Sequence, residues 1–452
     1  MWFEQLTGFR EAGRAQVLAH LREDGPFLES TVTGRRMRRG ELAVVSLEAL
    51  RTAREQAGTV PPWGPGTGPG TGPGTGPGTG RATSVREVVA DVRDLHADPA
   101  SAGAVFQVAS QFNLLEMTGP GITPDDGVDR YELDRTQGPA CAIACGAATI
   151  HRNYLVPFGS GPDAPRGQTA GRQLDGFADL AAALGLAVDM RNGYAFVAAP
   201  ELDRVGGYLD GLTGPQRDDL AGLLQVGVQS DAEVTWKDAG HAVTQVFCSA
   251  LPLAYAGGDP RRWEPLARLV LDAAYEATLA VAVPAAVRTG NRTVYLTLLG
   301  AGAFGNPVEW VVEALRRAVR LHRTSALDVR VVSYGAPQPA LRTLLDPGPS
   351  WADALFDVPP ARWGLRGDPH LWADLHADLR AVPAPPGSRE AMAALLTDRL
   401  HRLGGVDLRA AGDDPVRVPR FGTSGMSGGY VAPAFWRDVA VPLLSDRWEA
   451  LR

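Results

Sequence analysis

Four short apolar runs, Ala104–Ala109, Val243–Cys248, Thr293–Leu299 and Val329–Ser333, alternate with longer stretches of helical periodicity. This alternation constrains the fold more than any other feature of the chain. A strand buried on both faces reads as a near-continuous apolar run. The helices predicted between them are Gly138–Tyr154, Trp263–Ala280 and Pro307–Leu321. In the second, Trp263, Leu266, Val270, Ala274 and Ala277 share one face; in the third, Val308, Val311, Val312, Leu315 and Val319 do. Strand and helix in alternation imply an α/β sheet with right-handed crossovers. Residues 158–230 interrupt the series and read as an insertion. It comprises a Gly-rich loop, a helix near Gln173–Leu184, a hairpin around Asn192-Gly193, and two short helices.

The flanks differ in composition. The length of 452 residues suggests about three units. Residues 1–57 form a small N-terminal segment, with a helix over Phe9–Leu21 and a hairpin within Thr31–Val45. Residues 58–82 contain Gly-Thr-Gly-Pro in tandem, which has nothing to bury and reads as a flexible tether. The α/β domain then runs over 83–340. A small α+β module over 345–452 holds Trp351, Trp363, Trp372, Trp436 and Trp448, half of the chain's 10 Trp. Its Arg366-Gly367-Asp368 reads as a turn, and Gly425–Gly429 offers a second anion-binding loop, although no helix-opening string follows it at once. The formal charge of −7 argues against nonspecific nucleic-acid binding, which needs clustered cations. Three Cys exclude a disulfide framework or a Cys-rich zinc site, and no metal or cofactor is expected. No apolar run reaches the roughly 18 residues of a membrane span. Met1–Gly25 lacks the apolar core of a signal peptide. A cytoplasmic protein of bacterial type, without a membrane partner, is the expectation.

Three strings carry chemistry. The first is Gly300-Ala301-Gly302-Ala303-Phe304-Gly305-Asn306-Pro307, which follows a buried strand and opens a helix. Asn306 suits an N-cap and Pro307 the first helical position. Alternate glycines let backbone N–H groups approach a ligand, and the helix N-terminus behind them favours negative charge. A plain strand-to-helix turn has the same glycines. The string lacks the following acid of a dinucleotide fingerprint and the Gly-Lys-Ser/Thr of a P-loop. The second string is Phe106–Asn113, where Ser110, Gln111 and Asn113 end a buried strand. Such positions bind ligands in α/β sheets; equally, buried amides close loops through their own hydrogen bonds. The third is Asp134–Cys141, a second loop opening a helix. Cys141 and Cys145 lie at i, i+4 on that helix and read as packing, and His151 lies near its end, where its charge would complement the helix dipole.

The order of these parts resembles a macrodomain, the ADP-ribose-binding α/β module, and more distantly the catalytic domain of poly(ADP-ribose) glycohydrolases. The likeness spans about 85–335 without the insertion, and Gly300–Asn306 carries it best. It implies a three-layer mixed sheet flanked by helices, with ADP-ribose or a related nucleotide as partner. Gly300, Ala301, Gly302, Ala303, Phe304, Gly305 and Asn306 would hold the diphosphate and distal ribose. Ser110, Gln111 and Asn113 would line the distal ribose, and Gln137, Gly138, Pro139 and Ala140 would wrap the diphosphate. Asp91, with Asp94 as runner-up, would accept from the adenine amine.

The chain also departs from that pattern. The hydrolases carry Gly-Gly-Gly in the first loop, and the glycohydrolases follow it with paired Glu. Here the loop has one Gly, and Cys141–Gly146 contains no acid. Acids stand just upstream, at Glu116, Asp125, Asp126, Asp129, Glu132 and Asp134. The enzymatic expectation is hydrolysis of an ADP-ribosyl bond, with Asn113 orienting the ribose and Asp134 or Glu132 activating water. The alternatives are a reader that binds without turnover and a structural or interaction protein. The partner of the C-terminal module is not legible.

Overall fold

The structure, a computed structural model, describes residues 1–56, 82–161, 163–342 and, further on, 355–356, 374–376, 378–379, 388–404, 416–418, 429–431 and 436–451. Almost all of the tether, together with Arg366–Asp368 and Gly425–Gly428, lies outside the described residues. The chain divides into two compact units: residues 1–207 with 220–339, and residues 208–219 with 340–452.

The strands of the first unit, in chain order, are β1 (Leu21–Asp24), β2 (Phe27–Ser30), β3 (Arg36–Arg38), β4 (Glu41–Ser46), β5 (Ser84–Val89) and β6 (Val105–Ala109). They continue with β7 (Val188–Arg191), β8 (Tyr194–Val197), β9 (Gln225–Glu233), β10 (Ala242–Cys248), β11 (Thr293–Leu296) and β12 (Asp328–Ser333). Seven form one mixed sheet in the order β4-β9-β10-β6-β11-β12-β5. The run from β10 to β5 is parallel, and β9 lies antiparallel to both of its neighbours, β10 and β4. The unit is a three-layer α/β domain. On one face Phe106, Val108, Phe247 and Tyr295 pack with Val92, Ala140, Cys141, Cys145 and Ala148 of the overlying helices. From the opposite face Gln107 and Cys248 reach Thr278 of the long helix Pro260–Thr289. That helix packs in turn on Leu47–Gln56 and Val308–Leu321.

Several boundaries differ from the sequence reading. The N-terminal segment contributes β4, an edge strand of the main sheet, beside a three-stranded meander β1-β2-β3, where a single hairpin was expected. The helix expected over Phe9–Leu21 is two, Trp2–Thr7 and Arg14–His20. The insertion ends before Gln225, because β9 is a sheet strand whose polar residues obscured its role. The helix expected over Gly138–Tyr154 breaks at Cys145 (φ −117°, ψ 62°) into Gln137–Ala144 and Gly146–Tyr154. Beside the break, a Cβ on Gly146 would lie 2.5 Å from Leu6 Cδ2, so the close packing there needs glycine. Pro260–Thr289 is longer than expected and has the length and hydropathy of a membrane span, yet 83% of its most apolar window is buried. His151 is buried, and desolvation with nearby arginines holds its pKa well below 6.5, so it does not carry the dipole-complementing charge. In the second unit, helices Arg389–Gly404 and Val441–Leu451 share a core of Leu375, Leu379, Met392, Leu396, Leu400, Leu444 and Trp448, and Val416–Val418 pairs with Gly429–Val431.

His96 gives the first unit a pH dependence. Its ring is fully buried and stacks on Phe106 at 3.6 Å, with Nδ1 2.7 Å from the Val92 carbonyl. Burial lowers its pKa to about 4. The unfolded chain takes up this proton near pH 6.5, whereas the folded chain resists until about pH 4. The stabilisation is therefore fully present above pH 6.5 and lost as pH falls through that window, on the order of 3 kcal/mol in all. Urea unfolding should show His96→Gln to be less pH-sensitive than wild type between pH 7 and 4; parallel curves would contradict this.

Candidate functional site

The carboxyl ends of β5, β6, β11 and β12, with the loop after β10, border one cleft of about 510 Å³. This is where open α/β sheets take ligands. One wall is the turn after β11. Gly300 has φ +77°, and a Cβ there would lie 2.5 Å from the Ala250 Cβ. Gly305 has φ +73° and abuts Ala254. Three bonds set the turn: Ala301 N–H to Leu298 O, Gly305 N–H to Gly302 O, and Asn306 N–H to Gly300 O. Asn306 does not cap the following helix. It is buried, and its Nδ2 donates to the Leu251 and Gly300 carbonyls, tying the turn to the loop after β10. Pro307 takes the N-cap position. Among the described residues, no acceptor serves the amides of Gly302, Ala303 and Phe304. Gly302 and Ala303 are exposed, which leaves these amides open to a ligand or to solvent.

The facing wall is the loop that opens Gln137–Ala144. A Cβ on Gly138 would lie 2.0 Å from the Ala109 carbonyl oxygen, so only glycine lets the helix approach the end of β6 this closely. Gln137 spans the same junction: its Oε1 accepts from Ala109 N–H at 2.9 Å and its Nε2 donates to Gln107 O at 2.8 Å. Both are structural bonds, although Gln137, Gly138, Pro139 and Ala140 all line the cleft. Asp134 lines it too, half-buried, and accepts from Thr136 N–H at 2.7 Å.

The other predicted residues divide. Asp91, Ser110, Gln111, Gly300, Ala301, Gly302, Ala303 and Phe304 line the cleft. Asn113, Glu132, Gly305 and Asn306 do not. Asn113 is fully buried, donating to Gln173 Oε1 and accepting from Leu115 N–H. Glu132 turns away and accepts from Trp2 N–H at 3.0 Å. Gln111 lines the cleft with its amide spent on Met117 and the Tyr194 hydroxyl. Asp91 caps the helix Val92–Ala97 and pairs with Arg93, and the Arg93 hydrogen bond holds its carboxyl below the usual carboxylate range. Asp94 pairs with Lys237 and lies outside the cleft lining.

Sequence reasoning missed the aromatic end of the cleft. Tyr194, Tyr255 and Phe304 form a cluster with ring centroids 5.2–5.8 Å apart. Tyr194 comes from the insertion hairpin and Tyr255 from the short helix Leu253–Ala256 after β10, so no local pattern links them. Burial, then Tyr255, then the Asp134 charge raise the Tyr194 hydroxyl far above its ordinary range. Tyr334, 69% exposed, stands on the rim. Beneath the Gly138 turn, Glu116 pairs with Arg152 at 2.9 and 3.1 Å. Both side chains have no exposure, and burial raises the Glu116 carboxyl against the pull of Arg152. Among the described residues, no group of three or more metal-ligating side chains occurs.

No family model matches the sequence, and no curated protein does. The chain is similar to solved structures of the poly(ADP-ribose) glycohydrolase from Deinococcus radiodurans in complex with ADP-ribose. One crystal form aligns at 12% identity over 68% of this chain and 94% of that one, with a TM-score of 0.36. Another aligns at 12% identity over 68% and 95%, with a TM-score of 0.35.

Proposed function

We propose that the cleft binds ADP-ribose or a related nucleotide and that the protein hydrolyses an ADP-ribosyl bond there. The observation that carries this reading is the run of amides at Gly302, Ala303 and Phe304, without acceptors among the described residues, in the same cleft as the Gln137–Ala144 N-terminus. N–H donors on two loops that line one cleft suit a diphosphate. The distal ribose then extends toward the aromatic end and Asp134, a half-buried acid that lines the cleft. Asp134 takes the water-activating role. Glu116, with its sealed side chain, holds structure instead. Asp91 and Tyr334 offer a carboxylate and an aromatic face to the adenine.

Isothermal titration with ADP-ribose tests the ligand. No heat at submillimolar ligand from folded protein refutes it. Gly302→Leu separates the ligand from the fold. A Cβ at Gly302 meets no atom within 4 Å, so the melting temperature stays at the wild-type value. The new side chain crowds the amides, and affinity falls about tenfold or more. Unchanged affinity would count against a ligand in contact with this turn. Binding without turnover is the second reading. It is favoured by the helix Gln137–Ala144, which contains no acid. An ADP-ribosylated peptide that stays intact after long incubation, despite measurable ADP-ribose affinity, selects it.

A further inference from the structure

We propose that Glu11 is a positioning residue for turnover, fixing the loop that presents Asp134 to the cleft; this rests on the hydrolytic reading above. The loop begins at Gly127, continues as a 3-10 turn over Asp129–Leu133 and ends at Asp134. Glu11, over a hundred residues away in sequence, closes its start. Its carboxylate accepts from Val128 N–H at 2.9 and 3.0 Å, from Asp129 N–H at 2.7 Å, and from the Tyr154 hydroxyl at 2.7 Å. Gly127 has φ +81°, and a Cβ there would lie 2.4 Å from Glu11 Oε2, so the glycine admits the carboxylate. In the middle of the turn Tyr131 is fully buried, and its hydroxyl accepts from Glu116 N–H at 3.2 Å. At the end, Asp134 N–H donates to Tyr131 O at 3.1 Å. The three attachments run in sequence from Glu11 through Tyr131 to Asp134. Glu11 itself does not line the cleft. It acts through the turn and touches no substrate.

Small displacements of a reacting group reduce turnover far more than affinity. Glu11→Ala should lower kcat on an ADP-ribosylated peptide by about 10- to 100-fold, with KM and the ADP-ribose Kd within about threefold of wild type. Hydrogen exchange at Val128 and Asp129 should quicken in the same variant. Glu11→Gln keeps one carbonyl acceptor, so its kcat should fall between the two. Wild-type kcat in Glu11→Ala overturns the proposal, as does a loss confined to KM. If Glu11→Ala does not fold, Glu11→Gln decides alone: a several-fold loss of kcat at constant Kd supports the role, and full activity removes it. Wild-type protein without turnover overturns the hydrolytic reading itself, and the proposal with it. Wild-type turnover equalled by both variants removes only the proposal.

Discussion

Arg152→Ala should lose about 3–5 kcal/mol of stability. The Arg152 side chain has no solvent exposure. Its Nε donates to the Leu114 carbonyl at 3.0 Å and Nη2 to both Glu116 oxygens, while the guanidinium stacks 3.7 Å from the Phe247 ring. Truncation leaves a buried carboxyl without its cation, a carbonyl without its donor, and a cavity against the sheet. A domain's whole stability is only about 5–15 kcal/mol, so the loss takes away a large share of it. Urea denaturation measures the loss. Arg152→Lys restores the charge but not the planar fork or the Nε bond, and should fall between. A loss under about 1 kcal/mol for alanine would mean that the site collapses freely around the smaller side chain.

Asp134→Asn should abolish most turnover and little else. The amide keeps an oxygen that can accept from Thr136 N–H, so the loop stays closed and stability stays within about 0.5 kcal/mol. General-base catalysis by a positioned carboxylate contributes about 10²–10⁴-fold, and kcat should fall by that factor. ADP-ribose affinity should hold, because the diphosphate contacts proposed above are to backbone amides rather than to the Asp134 carboxylate. Single-turnover kinetics on an ADP-ribosylated peptide, with calorimetry on the same preparation, reads both quantities. Equal turnover in wild type and Asp134→Asn would move the base elsewhere. A parallel loss of affinity would make Asp134 a binding group.

Much of this molecule was legible before its structure. The strand over Ala104–Ala109 is β6, with its start shifted by one residue. The turn expected at Gly300–Gly305 is there, with glycine at the two positions where φ is positive. Both signals are local: a buried parallel strand must be apolar throughout, and a tight turn must use residues that tolerate its dihedrals. The polar side chains beside them were not legible in the same way. Ser110, Gln111 and Asn113 stand within four residues. Yet Ser110 and Gln111 line the cleft, while Asn113 is turned inward by Gln173, 60 residues on. Glu132 and Asp134 are two residues apart, and a 3-10 turn sends one to the N-terminal segment and the other to the cleft. The direction of a loop side chain follows from whichever partner arrives, and the local string does not specify it.

The sequence by itself determined the α/β alternation, the glycine turns and the absence of acids in Gln137–Ala144, since each follows from residue type and spacing alone. The tertiary structure decided that β4 and β9 complete the sheet and that Tyr194, Tyr255 and Phe304 close one end of the cleft. It also placed two of the six upstream acids, Glu116 and Asp134, in the lining of the cleft. These outcomes depend on contacts between residues tens to hundreds of positions apart, and such pairings leave no periodicity in the chain to read.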